Sequence, residues 1–104
     1  MENLSQEKWW ELAQNDANGI ILDVRTSDEF ENGIIPGAIN MDIYKGQGFI
    51  YGVEELDKSK NIYVYCHAGG RSAQACQIME QLGFERTYNL LGGISNWDYE
   101  VVEP

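Results

Sequence analysis

Reactive residue types converge on one short run, Cys66-His67-Ala68-Gly69-Gly70-Arg71-Ser72. Gly69 and Gly70 carry no Cβ, so the backbone there can curl until successive amide N–H groups point at one spot, forming an anion-binding nest. Cys66 stands at the mouth of that nest. The thiolate is the nucleophilic form of cysteine, and converging N–H dipoles, a following helix N-terminus and Arg71 all favour it over the neutral thiol. A depressed Cys66 pKa and nucleophilic sulfur chemistry are the expectation. The second cysteine, Cys76, makes no disulfide framework, and with His67 as the only histidine the spacing fits no usual zinc pattern. Neither a metal nor another cofactor is expected, and Cys76 reads as a small buried apolar side chain.

Such a loop needs a strand before it and a helix after it. Ile62-Tyr63-Val64-Tyr65, opened by Asn61, is rich in β-branched and aromatic residues and ends at Cys66. From Ser72 the period becomes 3.6, with Ala73, Cys76, Met79 and Leu82 on one face and Gly83 as the stop. Upstream, Ser5 is a candidate N-cap for a helix over QEKWWELAQN, with Leu4 stapled against Trp9. Ile20 to Val24 is an almost continuous apolar run suited to a strand covered on both faces. Thr26 and Glu29 form a capping box for a short helix that Gly33 ends.

Ile35-Pro36-Gly37 is turn chemistry, and Ala38 to Ile43 reads as a short strand. Residues 45–52 form a glycine-rich stretch in which Phe49, Ile50 and Tyr51 look exposed, as a lid or docking lip would be. Val53 to Leu56 predicts one helical turn, Thr87 to Leu91 a last strand, Gly92-Gly93 a turn, and Ile94 to Trp97 a short helix that packs its tryptophan inward. Strands alternating with helices predict an α/β fold, a small parallel sheet of about five strands with helices on both faces.

Composition sets the outer limits. The 104 residues are 43% hydrophobic and 23% charged, which predicts a single domain over residues 1–104 with one real core. Seventeen acidic against seven basic residues give a formal charge of −10, a field that opposes nucleic acid and anionic membrane surfaces. No run is long and apolar enough for a membrane span, and MENLSQEKWW has neither the basic nor the apolar part of a secretory leader. A cytoplasmic protein is expected. From Lys58 to Met79 there is no acidic residue, while Lys58, Lys60 and Arg71 all fall there, so the region of the reactive cysteine is expected to tolerate an anion.

A cysteine that opens a six-residue loop closed by an arginine, here Cys66 to Arg71, resembles the active-site loop of the rhodanese family of sulfurtransferases. Leu22-Asp23-Val24-Arg25 and the acidic short helix after it look like that family's first core strand. Gly33-Ile34-Ile35-Pro36-Gly37-Ala38-Ile39-Asn40 looks like its second signature, with Ile34 where the family commonly has histidine. Gly92-Gly93 with Trp97 is similar to its C-terminal element. Four motifs in order span nearly the whole chain and identify it as resembling a single-domain rhodanese.

The resemblance implies ping-pong transfer of sulfane sulfur. Cys66 takes the outer sulfur of a small anionic donor such as thiosulfate, and its persulfide passes that sulfur to a thiol or cyanide acceptor, including a thiol on a protein. His67, Ala68, Gly69, Gly70, Arg71 and Ser72 would bind substrate, with Arg71 on the donor's sulfonate oxygens, and Asp23 and Arg25 would brace the loop from a neighbouring strand. Two alternatives stand beside this reading. One is a persulfide carrier or protein-interaction module. The other is a cysteine-dependent phosphatase or arsenate reductase, whose anion loop is longer by one residue than the four residues between Cys66 and Arg71.

Overall fold

A computed structural model describes residues 1–104. Five strands form one sheet in the order β1 (Glu2–Leu4), β5 (Arg86–Leu90), β4 (Asn61–Tyr65), β2 (Gly19–Asp23) and β3 (Ile39–Asn40), with every pairing parallel. The parallel α/β architecture expected from the alternation is the one observed. Side chains of alternate strand residues divide between two cores. Leu22, Val24, Ile62 and Val64 pack with Phe49 and Val53 of α3 (Gln47–Glu54) and with Ala75, Cys76 and Met79 of α4 (Gly70–Gln81). Tyr63, Tyr65 and Leu90 face the other way, against Trp9 of α1 (Gln6–Asn15). The Trp9 ring lies edge-on to Tyr63, Tyr65 and Trp97 at centroid distances of 5.7 to 6.1 Å, and its Nε1 donates to the Tyr88 carbonyl.

Local capping signals are realised. Ser5 accepts from the Lys8 N–H, and Thr26 and Glu29 close a reciprocal box on α2 (Ser27–Glu31). One element was not expected and two expectations need correction. Glu2–Leu4 is an edge strand that its short, mostly polar sequence did not announce. The strand expected over Ala38 to Ile43 shrinks to Ile39–Asn40, because Asp42 accepts from the Tyr44 N–H at 2.8 Å and starts a 3₁₀ turn over Ile43–Lys45. The glycine-rich stretch is mostly α3, which also absorbs the start of the helical turn expected at Val53. Its glycines lower helix propensity, but Phe49 and Val53, one turn apart, are buried against the sheet and hold it. Phe49 is therefore core, whereas Tyr51 is exposed. No helix is long and apolar enough to cross a membrane.

Candidate active site

β4 delivers Cys66 to the carboxyl edge of the sheet, where helix N-termini and loops collect. Gly69, at φ +112°, turns the chain back so that its own N–H donates to Cys66 Sγ at 3.0 Å, and α4 begins at the next residue. Ser72 Oγ lies 3.4 Å from the same sulfur. Cys66 is only 1% exposed, while His67, Ala68 and Gly70 are exposed. The thiol thus forms the floor of the cup, not its mouth. Burial pushes its pKa up, but the Ser72 hydroxyl and the N–H groups of Ser72, Gly69 and Ala68 outweigh that and leave it below the ordinary thiol value. Cys76, fully buried in α4, goes the other way, to about 11, because desolvation dominates there.

A second wall holds the cup in shape. The Ile94 N–H donates to the Cys66 carbonyl at 3.0 Å and the Ser95 N–H to the His67 carbonyl at 2.9 Å. This close approach of main chain to main chain requires Gly93, whose φ is +60°. A Cβ there would overlap the His67 carbonyl and lie 2.7 Å from the Cys66 carbonyl oxygen.

Arg71 closes the loop but turns away from the thiol's immediate shell. Its guanidinium forms a two-point ion pair with Glu29 of α2, at 2.7 and 2.9 Å, and lies over the Tyr44 ring at 5.3 Å. Both terminal nitrogens of Arg71, expected to hold the donor's sulfonate oxygens, thus engage Glu29. The expectation of a locally cationic window is corrected, since Lys58 reaches Glu54 at 3.3 Å and the Leu82 carbonyl at 2.6 Å. Hydrogen bonding from Arg71 lowers the Glu29 pKa from its ordinary 4.5 to about 2. Because the folded value is the lower one, the pair's contribution to stability is complete above pH 4.5 and is lost as pH falls toward 2. Thermal melts of wild type and Glu29→Gln are expected to differ near neutral pH and to converge on acidification; a constant difference down to the lowest pH would refute this.

Asp23 and Arg25 are buried at 0% and 5% exposure and hold each other. Asp23 accepts from Arg25 Nη2 at 2.7 Å, from its Nε at 3.0 Å and from its N–H at 2.9 Å, and Arg25 Nη2 also donates to the Gly33 carbonyl at 2.8 Å. Neither side chain hydrogen-bonds to residues 66–72. They brace the Gly33 turn and the Tyr65 ring, over which Arg25 lies at 5.7 Å, so any support for the reactive loop passes through β4. Ile34, in place of the histidine common in the resembling pattern, is buried and bridges to Val102 by two main-chain hydrogen bonds of 2.9 Å. Sequence reading missed Asn89, a buried amide beneath the loop that meets Ser72 Oγ at 2.5 Å. The available signal was a polar residue between Tyr88 and Leu90 in an interior strand.

A buried thiol that accepts from a loop amide at the carboxyl edge of a parallel sheet defines a class of α/β proteins built around a cysteine loop. Within that class, the chain belongs to the rhodanese-like domain family, whose profile matches residues 5–100. It is 32% identical over 96 residues to the thiosulfate sulfurtransferase GlpE of Coxiella burnetii, spanning 92% of this chain and 86% of that protein. It is 38% identical over 103 residues to the tRNA uridine(34) hydroxylase of Legionella pneumophila, spanning 96% of this chain but 40% of that protein. The crystal structure of SSP1007 from Staphylococcus saprophyticus superposes with a TM-score of 0.83 at 31% identity, covering 99% of this chain and all of that one.

Proposed function

We propose that the protein is a sulfurtransferase that carries sulfane sulfur as a Cys66 persulfide. The observation behind this reading is the Gly69 N–H directed at Cys66 Sγ, in a cup that lowers the thiol's pKa in spite of burial. The Cys66 thiolate attacks the outer sulfur of a donor such as thiosulfate. A new S–S bond forms, the donor's S–S bond breaks, and sulfite leaves with the electron pair. An acceptor thiolate or cyanide then attacks the outer persulfide sulfur and returns Cys66 as thiolate. No general base is invoked, because the attacking species is the thiolate, which the loop N–H groups favour, and sulfite is a good leaving group.

In this scheme the N–H groups of Ala68, Gly69 and Ser72 stabilise the sulfur anion, and His67, Ala68 and Gly70 form the exposed rim that a donor meets. Arg71 is assigned to fixing the loop's end through Glu29. The same pairing argues against a phosphatase or arsenate reductase, whose arginine must aim at the oxyanion inside the ring. The test is the intact mass after thiosulfate treatment. One added sulfur atom is expected on the wild-type chain and none on Cys66→Ser. No gain from thiosulfate or from a low-molecular-weight persulfide overturns the reading. A persulfide that neither cyanide nor a small thiol removes replaces the enzyme with a carrier.

A further inference from the structure

The Ser72 hydroxyl has one proton and three acceptors within reach: Asn89 Oδ1 at 2.5 Å, the Gly69 carbonyl at 3.1 Å and Cys66 Sγ at 3.4 Å. Given to Asn89, that proton leaves only the Ser72 oxygen facing the sulfur, which can then accept from a Cys66 S–H but cannot donate to a thiolate. Asn89 is 2% exposed, and its Nδ2 donates in turn to Asn3 Oδ1 at 2.9 Å. Asn3 pairs with Asn89 in the register of β1 on β5 and is itself exposed. A continuous chain of hydrogen bonds therefore runs from the thiol to the protein surface: Cys66, Ser72, Asn89, Asn3.

The chain can also run in reverse. With both amides turned over, Asn3 Nδ2 donates to Asn89 Oδ1, Asn89 Nδ2 donates to Ser72 Oγ, and the Ser72 proton is delivered to the sulfur. Every link survives with its direction inverted. The one contact given up is the 3.5 Å approach of Asn89 Nδ2 to the Gly69 carbonyl, which keeps the Ala73 N–H at 3.2 Å. Two orientations so nearly balanced are selected by whatever sits at either end. We propose that Asn89 and Asn3 are positioning residues whose shared orientation decides whether Ser72 accepts from the Cys66 thiol or donates to its thiolate. This rests on Cys66 being the sulfur-carrying group, but it concerns the thiol's own charge state and can be read without any sulfur transfer.

The charged and titratable groups about Cys66 are Arg71 and Cys76 on α4, Glu29 of α2 through Arg71, His67 in the loop, and the Asp23–Arg25 pair at the end of β2. The β5 residue beneath the loop, Asn89, is uncharged. The probe is Asn3→Asp, an exposed change on β1, two residues from the Met1 amine that pairs with Glu80 beside Cys76. A carboxylate only accepts, so it holds Asn89 with Nδ2 outward and Oδ1 on Ser72, the thiol-favouring direction. The Cys66 titration, followed by its Cβ chemical shift against pH, is expected to move up by about half a unit, a roughly threefold loss of thiolate below the midpoint.

The added charge alone pushes the same way, so the variant is repeated in a Ser72→Ala background, where the relay is cut but the charge remains. Most of the shift is expected to disappear there. Should Ser72→Ala fold poorly, a salt series on Asn3→Asp makes the same separation, because salt screens a surface charge and leaves a relayed hydrogen bond in place. An equal shift in both backgrounds, or one abolished by salt, overturns the relay. A wild-type thiol that titrates normally yet takes up no sulfur refutes the sulfurtransferase reading instead.

Discussion

Gly93→Ala is expected to cost about 3–4 kcal/mol of stability and most of the sulfur uptake, although position 93 carries no chemistry of its own. The native φ of +60° with ψ of −165° lies where L side chains are strained, at roughly 1–3 kcal/mol. Strain is only one part of the cost. The added Cβ meets the carbonyl of His67 and that of Cys66, and a backbone cannot rotate out of the way as a side chain can. The segment from Gly92 to Ser95 must therefore back off, and the two hydrogen bonds tying it to Cys66 and His67 go with it, at about 1 kcal/mol each. A domain of this size holds only about 5–15 kcal/mol in total, so the loss is large. In urea unfolding the midpoint should fall by more than about 1 M. Persulfide formation by the folded fraction should slow, because the cup loses its outer wall. An unchanged urea midpoint would show that the wall yields freely and that the loop's shape is fixed from its inner side alone.

What the sequence disclosed and what it concealed follow from the range of the interactions. The cysteine loop, the caps at Ser5 and Thr26 and the stop at Gly83 are written in a few consecutive residues, and each is legible because the physics that makes it is equally local. The acid-free stretch from Lys58 to Met79 misled for the opposite reason. Glu29 is 42 positions from Arg71 along the chain and 2.7 Å from it in space, so a local excess of cations was neutralised by an acid no window could include. α3 was obscured by its own glycines, since its stability comes from docking Phe49 and Val53 and not from propensity. β1 exists because β5 offers an edge to pair with, and nothing within Glu2–Leu4 states that. The burial of Cys66 under its loop likewise depends on how Ile94 and Ser95 come across from β5.

Asp23→Ala should be at least as damaging as the Gly93 change, for an electrostatic reason. It leaves the Arg25 guanidinium, 5% exposed, with only the Gly33 carbonyl and the face of Tyr65 in place of its carboxylate. Breaking a buried pair by removing one partner typically costs about 3–5 kcal/mol, because the remaining charge is desolvated without compensation. Removing both charges is a different experiment. Asp23→Leu with Arg25→Met replaces the pair by apolar groups of similar bulk, and it is expected to recover roughly half or more of the loss, since the desolvation penalty of the pair vanishes with it. The double variant still forfeits the Nη2 bond to Gly33, so full recovery is not expected. Urea unfolding of the two single variants and the double gives the coupling directly. Additive losses would mean that Asp23 and Arg25 act independently, contrary to their shared hydrogen bonds. Sulfur uptake supplies the second readout. Neither residue hydrogen-bonds to the 66–72 loop, so the folded double variant should load Cys66 at close to the wild-type rate, and a deep loss there would mean that the pair shapes the reactive cup itself through Tyr65.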